Sequence, residues 1–125
     1  MKHAGFKRAD RVAELILREI ALIIQRHVKD PRVRGVGITA VNLSEDLKQA
    51  RIFFTLDAPA DPQSIKWQGA KKGLQSAKGF IKRQLSLGLA LRSMPELIFK
   101  EDFSEGKAHR VEELLRTINK PNNSE

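Results

Sequence analysis

Gln63–Met94, QSIKWQGAKKGLQSAKGFIKRQLSLGLALRSM, is the stretch on which the rest of the chain turns. Trp67, Ala70, Leu74, Ala77, Ile81 and Leu85 recur at steps of three or four, the spacing of a helix that buries one face. The same stretch carries Lys66, Lys71, Lys72, Lys78, Lys82, Arg83 and Arg92, and no Asp or Glu lies between Asp61 and Glu96. At its middle stands Ser76-Ala77-Lys78-Gly79. Glycine is about 1 kcal/mol worse than alanine inside a helix, so Gly79 predicts a kink between two helices. The second helix then starts near Gly79 and ends near Gly88. Lys78 and Lys82 lie one turn apart beside that helix start, where free amide groups favour a phosphate. The kink takes Lys71 out of their stripe.

Before this stretch, Val12, Leu15, Ile16, Ile20, Ile23, Ile24 and Val28 mark an amphipathic helix over residues 8–29, which Asp30-Pro31 stops. Glu14 and Arg18 have the spacing of an i,i+4 pair, which makes Arg18 structural. Val36–Leu43 and Gln49–Leu56 read as two strands of an antiparallel hairpin around Ser44-Glu45-Asp46-Leu47-Lys48. In the second strand Ala50, Ile52, Phe54 and Leu56 alternate with Arg51, Phe53 and Thr55. Phe53 is expected to pack against the first helix rather than to stack on a base. Residues 57–62 form a proline loop. After Met94-Pro95, Glu96–Lys100 is a third strand of undetermined direction, and Asp102 and Ser104 offer capping side chains. Val111, Leu114, Leu115 and Ile118 predict a last helix from Lys107, followed by a disordered polar tail at 120–125. The order is helix, strand, strand, helix, kinked helix, strand, helix. This is an α+β domain over residues 1–119, with helices on one or both faces of a three-stranded sheet.

The 125 residues carry 23 Lys or Arg against 15 Asp or Glu, a net charge of +8. The basic excess sits in the first helix and in the acid-free block, a distribution that favours an anionic partner over a merely solvated surface. With no cysteine, disulfides, thiolate metal sites and thiol nucleophiles are all excluded. The N-terminal residues lack a signal-peptide core, and no apolar run reaches the ~20 residues that span a bilayer. A soluble cytoplasmic protein is expected. Catalysis finds little support. His3, His27 and His109 are scattered, and Gly69-Ala70-Lys71-Lys72-Gly73 lacks the Ser/Thr and preceding strand of a phosphate loop. Asp102 and Glu105, just before a helix, read as caps rather than as an acid–base pair. Neither a metal nor a cofactor is expected.

The element order, with a glycine joint between the middle helices, resembles a type II K-homology (KH) fold. The Gly-x-x-Gly loop of that fold is missing, and Ala77-Lys78-Gly79 is similar to the Ala-x-Gly kink of the bacterial ribosome-binding factor A family. Arg8-x-x-Arg11-Val12, Lys29-Asp30-Pro31-Arg32-Val33, Ile38-Thr39-x-Val41 and Leu43-Ser44-x-Asp46-Leu47 match that family in order. So do Gly79-Phe80-Ile81-Lys82, Leu91-Arg92, Pro95-Glu96-Leu97-x-Phe99 and Asp102-x-Ser104. The resemblance implies a monomeric, non-enzymatic assembly factor. Such a factor binds the free small (30S) ribosomal subunit, aids late maturation of 16S rRNA and supports growth in the cold. The expected RNA contacts are Arg8, Arg11, Lys71, Lys72, Lys78, Gly79, Lys82, Arg83 and Arg92, with no membrane or small-molecule substrate. The alternatives are a general KH-type RNA binder, a protein-interaction module using an exposed Ile23-Ile24 patch, and a nuclease acting on rRNA. The long charged C-terminal extension of some members is almost absent.

Overall fold

The computed structural model of this chain describes residues 8–57 and 64–104. Its elements are α1 (Arg8–His27), a 3-10 turn (Pro31–Val33), β1 (Val36–Leu43), β2 (Gln49–Leu56), α2 (Ile65–Gly88) and β3 (Glu96–Glu101). The expected last helix from Lys107 and the tail at 120–125 lie outside the described residues, as does the loop beyond Asp57.

The strands form one sheet in the order β1-β2-β3. The hairpin pairs β1 and β2 antiparallel, and β3 returns parallel to β2. Strict alternation along β1 cannot bring Val36, Ile38, Val41 and Leu43 to one face, because the step from 38 to 41 is odd. A bulge supplies the missing residue. Ile38 pairs with Phe54 and Ala40 with Phe53, leaving Thr39 over between them, so all four apolar side chains pack against the core. The turn after β1 is held by its own polar residues. Ser44 Oγ donates to Asp46 Oδ1 at 2.6 Å, and the Lys48 and Gln49 amides donate back to that pair.

Both helices cover one face of the sheet among the described residues. Ile16 and Ile20 of α1 and Leu74, Ile81 and Leu85 of α2 are fully buried against Ile52, Phe54, Leu97 and Phe99. Each such side chain contributes about 1.5–3 kcal/mol when removed from water. Trp67 closes the end of this core, with its ring 5.8 Å from Phe54 and 4.7 Å from Phe103.

Three expectations need correction. First, α1 ends at His27, two residues early, because Asp30 caps a separate turn by accepting from the Arg32 amide at 2.9 Å. Second, α2 is one helix where two were expected: it runs through Ser76-Ala77-Lys78-Gly79 from Ile65 to Gly88. No helix start lies near Gly79, and no free N-terminal amides gather there. Third, Phe53 does not pack on α1. It alternates with the fully buried Ile52 and Phe54 and stands, partly exposed, on the opposite face of the sheet.

Gly73 has a packing role instead. A Cβ on Gly73 would come within 2.8 Å of Val33 Cγ2 and 3.2 Å of Arg32 Cβ, so only a glycine lets the 3-10 turn lie this close to α2. Arg32 also passes over Gly69, and its guanidinium grips Asp30 at 2.6 Å.

Candidate nucleic-acid interface

An unbroken α2 sorts its cations by phase. At 3.6 residues per turn, positions spaced by seven and four share a stripe. Lys71, Lys78 and Lys82 form one such set; Lys72, Gly79 and Arg83 form a second. Lys71 therefore joins the lysines from which a kink would have parted it.

The first stripe flanks the buried face and meets β3. Lys71 Nζ lies 3.4 Å from Glu101 Oε1, Lys78 Nζ 3.2 Å from Glu96 Oε2, and Lys82 Nζ 3.5 Å from Glu96 Oε1. A block free of acids in sequence is thus not free of them in space. Glu96 is fixed by its backbone amide, which donates to Lys48 O at 2.8 Å. The Lys78 hydrogen bond, with Lys82 beside it, holds the Glu96 carboxyl below the usual carboxylate range. These two glutamates are what sequence reasoning missed. Their partners depend on the direction of β3, which no residue pattern announced.

The second stripe points outward. Lys72, Gly79 and Arg83 are exposed, and among the described residues no carboxylate lies within ion-pairing distance of Lys72 or Arg83. A Cβ on Gly79 would meet only the Arg83 guanidinium, at 3.9 Å. Nothing in the described fold needs a glycine there. Arg92 is exposed in the connection between α2 and β3.

Arg8 and Arg11 are exposed on the first turn of α1. The opposite end of that helix, at His27 and Val28, adjoins Ala77 and Phe80 across a groove of about 270 Å³. Arg8 and Arg11 are therefore roughly 25 Å along α1 from the middle of α2, at 1.5 Å per residue. They do not join either stripe.

The Ile23-Ile24 patch that would mark a protein-docking helix is buried, each residue being 5% exposed. Asp102, expected to cap a helix that lies outside the described residues, accepts from the Ser104 amide at 2.9 Å and from Thr39 Oγ1 at 2.6 Å. Among the described residues no three His, Asp or Glu side chains cluster as metal ligands, and no helix is long and apolar enough to cross a membrane.

Residues 8–115 match the family model described as Ribosome-binding factor A. The protein of that name from Syntrophus aciditrophicus is 43% identical over 117 residues, covering 92% of this chain and 90% of its own. The crystal structure of ribosome-binding factor A from Thermus thermophilus superposes with a TM-score of 0.65 at 22% identity, covering 74% of this chain and 93% of that one. A homology model of the Thermus thermophilus protein, as fitted into the cryo-EM map of a 30S–RbfA complex, gives a TM-score of 0.58 at 22% identity, covering 73% of this chain and 91% of that one.

Proposed function

We propose that this chain, which belongs to the ribosome-binding factor A family, binds the free small ribosomal subunit and assists late maturation of its 16S rRNA. It acts in the cytoplasm, as a monomer, by binding rather than by catalysis. The observation that carries the reading is this membership, joined to a helix that displays Lys72 and Arg83 along one exposed ridge. Lys72, Gly79 and Arg83 make the first contact with rRNA phosphates, and Lys71, Lys78 and Lys82 close on it from the adjoining stripe. Support comes from the exposed glycine: it leaves about 1 kcal/mol of helix stability unclaimed, yet it lets a phosphate backbone approach α2 without meeting a side chain. Arg92, beyond the end of α2, extends this face. Arg8 and Arg11 supply a separate contact. A better fit to the precursor than to the mature subunit lets the protein act and then leave.

Sedimentation of the purified chain with free small subunits, large subunits and intact ribosomes tests this. The protein is expected to travel with free small subunits alone. Equal recovery with large subunits would reduce it to a general RNA binder, and trimming of precursor rRNA by the chain on its own would make it a nuclease.

A further inference from the structure

Glu96 fills the space between two lysine ammonium groups of α2. Its two carboxylate oxygens are shared between two ammonium groups one turn apart on α2, Oε2 with Lys78 at 3.2 Å and Oε1 with Lys82 at 3.5 Å. A phosphate offers the same thing to such a pair: adjacent anionic oxygens that accept charge-assisted hydrogen bonds. Glu96 cannot simply be carried away when RNA arrives, because it opens β3 and its amide is bonded to Lys48 O. Its side chain, however, is 53% exposed, which leaves room for the carboxylate to turn away from the lysines.

We infer that Glu96 is a built-in competitor for the phosphate that Lys78 and Lys82 hold, so that β3 limits the affinity of α2 for RNA and speeds release. The inference rests on the proposed role of these lysines in RNA binding. A phosphate entering between them either displaces the carboxylate or sits beside it against like-charge repulsion. In both cases part of the binding free energy is given back. As the phosphate leaves, the carboxylate returns to the lysines and opposes rebinding. Like any carboxyl of ordinary or lowered pKa it is ionised at neutral pH, and the Lys78 hydrogen bond with Lys82 beside it favours that charged form. Lys72 and Arg83 on the outward stripe face no such competitor among the described residues, so the two stripes divide the work: one captures RNA and the other limits how long it is held.

The experiment measures affinity and dissociation rate of the full chain with free small subunits for wild type, Glu96→Gln, Lys78→Gln/Lys82→Gln and the triple variant. Glu14→Gln, which removes one exposed negative charge from α1, controls for net charge. Glu96→Gln is expected to bind about three- to tenfold tighter, mainly by dissociating more slowly, while Glu14→Gln stays within about twofold of wild type. In the background lacking both lysines, Glu96→Gln is expected to add no more than Glu14→Gln does. A Glu96→Gln affinity equal to or weaker than that of Glu14→Gln, with the lysine double variant clearly weakened, overturns the competitor role alone. An undiminished lysine double variant instead removes this stripe from the RNA contact, and the competitor with it.

Discussion

Two glycines of α2 show how far a residue type can mislead and what decides its role. Gly73 and Gly79 are equal in helix propensity, and the sequence reading gave the structural weight to Gly79. In the fold, Gly73 is the one with the Val33 and Arg32 side chains packed over it, while Gly79 opens on solvent. Gly73→Ala should therefore destabilise the protein by about 1–3 kcal/mol through overpacking against Val33 and Arg32, even after the gain in helix propensity. Gly79→Ala should stabilise it by up to about 1 kcal/mol. Urea denaturation of the two variants checks both signs. If close approach of RNA is the reason for Gly79, the stabilised variant should also bind small subunits more weakly. Asp102 gives a prediction in pH. Hydrogen bonds from Ser104, and then from Thr39, hold its carboxyl below the ordinary range. The unfolded chain thus takes up this proton first, so the stabilisation is complete above the unfolded value of about 4 and is lost as pH falls through the folded one. Asp102→Asn should be less stable than wild type at neutral pH, and the gap should close in acid. A gap that is constant across the acid range would mean the carboxylate's charge is irrelevant to these hydrogen bonds.

At the level of elements, the hairpin was legible to the residue, and the register bulge was implicit in its apolar positions. Because 36 and 38 share one parity and 41 and 43 the other, one extra residue between them is required. Deleting Thr39 should force two of these four side chains out of the core and lower stability by roughly 2–4 kcal/mol, as denaturant titration would show. A deletion variant of unchanged stability would mean the bulge is incidental. The helix joint was misread for a reason of magnitude. One glycine costs about 1 kcal/mol, whereas Leu74 on one side of Gly79 and Ile81 and Leu85 on the other each gain about 1.5–3 kcal/mol from burial in the same core. Packing on both flanks outweighs a single poor helix former, and α2 continues. Phe53 was misread because alternation says which residues share a face but not which face the helices cover.

For the whole molecule, composition located the charge correctly along the chain but could not locate it in space. The parallel return of β3 places Glu96 and Glu101 against three of the lysines and leaves the ridge of Lys72 and Arg83 uncompensated among the described residues. That ridge is the surface proposed to meet RNA phosphates, and the salt dependence of binding probes it. Each phosphate contact made by a lysine or arginine steepens the fall of log K with log salt by roughly 0.7–0.9. The measurement is the affinity of wild type and of Lys72→Gln/Arg83→Gln for free small subunits across a salt series. The predicted result is weaker binding and a slope shallower by about 1.5, two contacts' worth; an unchanged affinity and slope would contradict the account.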